Sequence, residues 1–263
     1  MAHGFAAEKT FLLPSYAERF AQRGLAVLLF DYRNLGESEG EPRNLVSHFR
    51  HLADWRAALA HARTLDDIDT SKIGLWGTSF SGGLVIVTAA QDQHVAAIVA
   101  QVPMVDVPGS LSRFGLMFSL TAVGHGVWDL AKSALTGKPH YVPVVAGPGR
   151  FAVLNQPGCE EGYWAIVPPG ATFRNECPAR VLLSSTFFRP IAWANRVRCP
   201  ALIVLAEKDQ CIPPATIRAA AARMQASEVV ALDLDHFEHY GPAHFENVAR
   251  LEADFLARHL LGS

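Results

Sequence analysis

The chain has 263 residues, 50% of them hydrophobic and 18% charged, with a formal net charge of -2. That is enough for one large domain with its own core. The balanced charge, with no Lys/Arg cluster, excludes the electrostatic footprint expected of a nucleic-acid or anionic-membrane binder. Cys159, Cys177, Cys199 and Cys211 are scattered with no C-x-x-C pair, which argues against a zinc site. They suit a reduced, cytoplasmic setting, with Cys159 and Cys177 the pair open to a disulfide. The N-terminus "MAHGFAAEKT" lacks the pattern of a signal peptide. The most apolar run, 114–124, falls short of the roughly 20 residues a membrane span needs.

In chain order, "LPSYAERFAQRG" reads as a helix closed by Gly24. "LAVLLFDYR" (25–33) reads as a strand. A second helix follows, with Leu45, Phe49, Leu52, Trp55 and Leu59 at three- and four-residue spacings. "KIGLWGTS" (72–79), "AAIVAQVP" (96–103), "ALIVLAEKD" (201–209) and "VVALDLD" (229–235) are further strands. Their near-continuous apolar character suits parallel strands covered on both faces. "SGGLVIVTAAQ", "PATIRAAAARMQ" and "HFENVARLEADFLARHLL" are helices between or after them. The alternation predicts an α/β fold with a mostly parallel sheet.

The rhythm breaks between Val107 and Arg198, where proline, glycine and aromatic residues accumulate. So long an excursion between two strands predicts a cap or lid. The expected organisation is a core of residues 1–106 and 199–263 with a cap of 107–198 over an apolar pocket. Trp128, Trp164, Phe173 and Phe187 are candidates for its wall or for plain core.

"GLWGTSFSGG" (74–83) ends a strand and opens a helix. A serine hydroxyl is a weak nucleophile until a base takes its proton, and a sharp turn lifts it clear of the sheet. Small residues must flank that turn: Ser79 has Gly77 two before and Ser81 two after, whereas Ser81 has Ser79 and Gly83. The apolar run stops at Trp76, so Ser79 sits at the apex and is the expected nucleophile. Ser81 is expected near the helix N-cap. Two preorganised donors are needed for an oxyanion. The Phe80 N–H is one; "HGF" at residues 3–5 offers the Phe5 N–H as the other, with His3 ordering the loop rather than acting as a base.

The base is expected after the last strand, where "DHFEHYGPAH" holds His236, His239 and His244. His236 comes first and is preferred, with His239 the alternative. His48, His51 and His61 lie on a helix and read as surface or core-edge residues. The carboxylate partner is expected to be Asp209, which ends its strand, with Asp106 the rival. Asp233 and Asp235 are too near His236 in sequence to reach round easily. The order Ser79, Asp209, His236 is that of an α/β-hydrolase.

"HGF", "LLFDYRNLGESEGEPR", "IGLWGTSFSGG", "AEKDQCIPP" and "DHFEHY" together resemble the α/β-hydrolase superfamily over nearly the whole chain. Within it they resemble the dienelactone hydrolase-like and X-Pro dipeptidyl-peptidase-like proteins. The resemblance implies a catalytic triad of Ser79, Asp209 and His236, oxyanion donors Phe5 and Phe80, and no cofactor or metal. It implies ester hydrolysis of a small-molecule acyl substrate of apolar character. A thioesterase or polyketide-type acyltransferase, or a peptidase using Glu160 or Glu161, would share these motifs. A non-catalytic binding protein of the same fold is the reading from another class, and a homo-oligomer is compatible with all of them. Ser81 and Asn34 stand where relatives commonly have glycine. "HGF" starts at residue 3, whereas the superfamily carries strands before it. The expectation is therefore a misassigned start or a fragment, one that fails if 25–33 and 72–79 pair directly.

Overall fold

The computed structural model describes residues 1–111, 115–171 and 173–262. Helices α1 (Leu13–Gln22) and α2 (His48–Ala62) precede strand β1 (Gly74–Thr78), which turns into α3 (Phe80–Gln91) and returns as β2 (Ala97–Gln101). There follow α4 (Val107–Leu111), α5 (Leu116–Thr136), β3 (Tyr141–Val142), α6 (Cys159–Ile166), β4 (Cys177–Pro178) and α7 (Val181–Ser184). The chain then resumes with β5 (Ala201–Ala206), α8 (Pro214–Ala221), β6 (Ser227–Leu232) and α9 (Phe245–Leu260). Among the described residues, no helix is long and apolar enough to cross a membrane.

Among the described residues the main sheet has four strands in the order β1-β2-β5-β6, with every pair parallel. Successive side chains of a strand point to opposite faces, and here both faces are covered. Ile98 and Ala100 of β2, with Ala201, Ile203 and Leu205 of β5, pack toward α3 and α8. Ala97, Val99, Leu202 and Val204 pack toward α1 and α9. That double coverage is why these strands read as unbroken apolar runs. β6, at the edge, is half exposed and alternates instead.

Residues 25–33, expected as a strand, form none. Met1 and Ala2 run beside them: the Met1 amino group donates to the Leu28 carbonyl (2.7 Å) and the Phe30 N–H to the Met1 carbonyl (3.4 Å). On the other side, the Ala2 N–H donates to the Trp76 carbonyl (3.3 Å), and Ala2 bridges Gly77 in parallel. Segment 25–33 therefore does not pair directly with β1. Apolar propensity alone makes no ladder without a paired neighbouring strand.

Two other expectations change. Cys159 is bonded to Cys211, not Cys177; Cys177 is a buried free thiol and Cys199 is half buried. The partner was set by the start of α6 lying against the loop after β5, which sequence spacing does not reveal. In α2 the buried face is His48, His51, Trp55 and Leu59, while Phe49 is 61% exposed. His51 is a core residue stacked on Tyr32 (ring centroids 4.0 Å), and burial pushes its imidazole well below the usual range. Gly24 follows α1 in the left-handed region, as expected of a helix stop.

Two buried polar arrangements brace the sheet. Under the β1–α3 turn, Trp55 Nε1 donates to Tyr32 Oη (2.8 Å), and the Tyr32 and Ser81 hydroxyls are hydrogen-bonded to each other (2.6 Å). Under β1, Trp76 Nε1 donates to Glu252 Oε2 (2.8 Å), while Glu252 Oε1 has no partner among the described residues. Burial raises the Glu252 carboxyl to about 8, so it is neutral over most of the physiological range.

Removing the Ser81 hydroxyl strands a buried phenol. Ser81→Gly is expected to cost about 1–3 kcal/mol in urea unfolding. Glu252 binds its proton more tightly folded than unfolded, so its stabilising contribution is complete below pH 4.5 and declines as pH rises through about 8. The excess of wild-type over Glu252→Gln unfolding free energy is therefore expected to fall by about 2–4 kcal/mol between pH 5 and pH 8.5, the buried histidines contributing equally to both proteins. A variant with an unchanged slope would contradict it.

Candidate active site

β1 ends in Ser79, whose backbone adopts φ 53°, ψ −117°. A non-glycine residue holds this conformation only when its surroundings over-determine it. The Ser79 N–H donates to the Gln101 carbonyl (2.8 Å), and its own carbonyl accepts from the N–H groups of Met104 (2.9 Å) and Gly83 (3.3 Å). Gly77 lets α3 close onto the strand, since a Cβ there would lie 2.5 Å from the Ser81 carbonyl oxygen. Ser79 thus stands at the apex and itself occupies the N-cap position of α3. Ser81 is not a cap. It is fully buried in the first turn and held by Tyr32.

His236 follows β6, and its Nε2 lies 3.1 Å from Ser79 Oγ. Its Nδ1 lies 2.7 Å from Asp209 Oδ2. A carboxylate at Nδ1 keeps the proton there and leaves Nε2 to accept from the serine hydroxyl. Asp209 is positioned by the turn after β5, where its Oδ1 accepts from the N–H groups of Cys211 and Ile212, both at 2.7 Å. His236 and Asp209 are both buried.

The residues held as alternatives lie elsewhere. Asp106 pairs with Arg189 (3.0 Å). His239 is buried with neither ring nitrogen partnered among the described residues, and burial holds it well below the usual imidazole range. His244 precedes α9. Asp235, discounted for its closeness to His236, has a different task. Its Oδ1 accepts from the N–H groups of His236 (2.6 Å) and Gln210 (3.0 Å), fastening the loop that carries His236 to the loop that carries Asp209. Only the folded adjacency of those loops exposes this role.

Residues 3–5 pass directly over the serine. A Cβ on Gly4 would lie 3.2 Å from Ser79 Cβ. His3 is fully buried, with Nδ1 3.0 Å from the Gly4 carbonyl and Nε2 3.6 Å from Asp31 Oδ1. Asp31 also accepts from the N–H groups of Lys9 (2.6 Å) and Glu37 (3.1 Å), so the 31–44 loop braces the 3–9 loop. Asn34 fits this loop at φ 72°, a conformation asparagine tolerates almost as glycine does. The N–H groups of Phe5 and Phe80 have no acceptor among the described residues, and both residues line the cavity that holds Ser79 and His236.

That cavity, of about 200 Å³, has Phe11, Phe118, Tyr163, Ile212 and Phe237 among its walls. The expected wall aromatics are not there. Trp128 (55%), Trp164 (44%) and Phe187 (74%) are exposed, and Phe173 sits behind Phe11 and Tyr163 (centroids 5.5 Å from each). Helical direction, invisible in a broken pattern, decided which aromatics turned inward. Asp209, Cys211 and His236 bring ligand-type atoms within 4.8 Å of one another, but the Cys211 sulfur is bonded to Cys159 and the other two groups to each other. The Asp209 and His236 groups are therefore taken up by each other and by Ser79.

The model of the alpha/beta hydrolase family matches residues 1–251. The quorum-quenching protein AidA of Acinetobacter baumannii is 38% identical over 258 residues, covering 98% of this chain and 85% of that protein. The solved structure of DcsB, in complex with its substrate analogue, superposes with a TM-score of 0.86 at 25% identity, over 99% of this chain and 89% of that one. The alpha/beta hydrolase GrgF from Penicillium superposes with a TM-score of 0.83 at 26% identity, over the same shares of the two chains. GrgF also aligns by sequence, as a polyketide transferase, at 29% identity over 220 residues, 81% of this chain and 71% of that protein. The ordered motifs, the parallel sheet and these likenesses agree, and the chain belongs to the alpha/beta hydrolase family.

Proposed function

We propose that the protein is a serine hydrolase that cleaves carboxylic esters of small to medium apolar substrates through an acyl-enzyme. The observation that carries this is the hydrogen-bonded chain Ser79–His236–Asp209 opening onto an apolar cavity. Ser79 Oγ attacks the acyl carbon as its proton passes to His236 Nε2, and Asp209 stabilises the imidazolium. The oxygen of the tetrahedral intermediate takes its negative charge against the N–H groups of Phe5 and Phe80. Collapse expels the alcohol with the proton from His236. Water, deprotonated by the same imidazole, then releases the acid and restores Ser79. Residues 107–198 act as the cap, because they supply Phe118, Tyr163 and other apolar walls.

A second reading uses the same chemistry on a thioester, or passes the acyl group to an acceptor other than water. The apolar cavity and the likeness to a polyketide transferase support it. A peptidase is less well supported. Glu160 is paired with Arg150 and Glu161 is exposed on α6, so neither is free inside the cavity to hold a substrate amine.

A fluorophosphonate is expected to label the wild type at Ser79, and Ser79→Ala and His236→Ala are each expected to remove the label. A folded wild type without label would favour a binding protein. Asp209→Asn is expected to lower kcat for a p-nitrophenyl ester by about 10³–10⁴-fold with KM little changed, because the wrong imidazole tautomer faces the serine. Parallel ester and thioester assays, with and without added alcohol acceptors, separate the two readings.

A further inference from the structure

Helix α6 touches the loops that carry Asp209, His236 and Phe5 together. Its first residue, Cys159, is bonded to Cys211, two residues after Asp209. Gly162 packs on Phe237, the neighbour of His236, so closely that a Cβ would lie 2.5 Å from the ring. Tyr163 sends its hydroxyl to the Phe5 carbonyl at 3.0 Å, in a buried setting. The Tyr163 ring is fixed independently of that bond, edge-on to Phe11 (centroids 6.3 Å) and Phe237 (6.1 Å) and tilted against Phe173 (5.5 Å).

Phe5 is thereby held from two sides. His3 reaches the carbonyl just before the Phe5 N–H, and Tyr163 reaches the carbonyl just after it. The Gly4 carbonyl shares a peptide plane with the Phe5 N–H and the Phe5 carbonyl belongs to the next plane, so with both tied, neither peptide beside the Phe5 Cα turns without breaking a hydrogen bond. Such fixed aim is what makes a donor effective in a transition state, where reorientation would otherwise be part of the barrier. Burial pushes the Tyr163 phenol well above its usual range, so it remains a donor at any working pH.

We propose that Tyr163 is a positioning residue for the oxyanion site: by donating to the Phe5 carbonyl it fixes the Phe5 N–H, and so couples the seating of α6 to transition-state stabilisation. The assignment rests on the reading of Phe5 as an oxyanion donor. Its signature differs from that of a packing residue. Losing the hydroxyl while keeping the ring lowers kcat and leaves ground-state binding in the cavity intact.

The test is Tyr163→Phe, assayed on p-nitrophenyl butyrate and titrated with an alkyl boronic acid, whose tetrahedral adduct on Ser79 carries the oxyanion charge. Burst titration of Ser79 with a fluorophosphonate counts competent sites, so kcat refers only to folded molecules. The expected result is a fall in kcat of about tenfold or more, less than the loss of a whole donor. KM should stay within about twofold and the boronate should weaken by a similar factor as kcat. Unchanged kcat and boronate affinity in a labelled, active protein would overturn the role of Tyr163 and leave the serine mechanism standing, as would a rise in KM alone. A wild type that neither turns over the ester nor takes the label at Ser79 would overturn the underlying reading, and this assignment with it.

Discussion

The backbone of Ser79 is the constraint on which the rest of the site depends. At φ 53°, ψ −117° it sits where an L-residue costs on the order of 1–3 kcal/mol, and it stays because several independent groups hold it. The Gln101 carbonyl fixes its N–H and the N–H groups of Met104 and Gly83 fix its carbonyl. The bare Cα of Gly77 lets the helix close in behind. The Trp55–Tyr32–Ser81 chain pins the first turn of α3 from below. One strained residue thereby presents a hydroxyl at a fixed point above the sheet, with the N-terminus of α3 beside it.

A parallel sheet makes the rest of the assembly economical. All four strands end at the same edge, so the loops after β1, β5 and β6 converge there although residues 79, 209 and 236 are far apart in the chain. Convergence alone would leave distances loose. Asp235 tightens them by binding the N–H groups of both Gln210 and His236, and Asp209 is itself held by two amides of its own turn. Below that edge the Thr78, Gln101 and Tyr240 side chains form a further buried polar contact, with Thr78 Oγ1 2.7 Å from Tyr240 Oη and 3.1 Å from Gln101 Nε2. The strand ends are bound to each other at several depths.

The insertion between β2 and β5 closes this edge with apolar surface. Its inner side supplies cavity walls through Phe118 and Tyr163. Its outer side, along α5, leaves Leu116, Met117, Leu120 and Trp128 in solvent. Ion pairs inside the insertion, such as buried Asp129 with Arg180 and the Arg180 and His140 amides, hold it in one shape. The loop that carries Phe5 is gripped from both directions, by His3 and Asp31 on the core side and by Tyr163 on the insertion side.

Local features of the amino-acid sequence determined the alternation of strand and helix, the turn at "GLWGTSFSGG", and the order of serine, aspartate and histidine. Each depends on neighbours a few residues apart: apolar runs, small residues around an apex, a carboxylate or imidazole ending a strand. What depended on partners distant in the chain was settled only by the tertiary structure. Segment 25–33 has strand composition, but its backbone bonds to Met1 and not to a strand of the sheet, and it forms no strand. Cys159 met Cys211 because α6 lies on the loop after β5. Ser81 serves Tyr32 rather than the helix end, and Asp235 bridges two loops that sequence keeps apart. Trp128, Trp164 and Phe187 turned outward while Tyr163 turned in. Periodicity states that a face exists; which residues meet across it is fixed by packing of the whole chain.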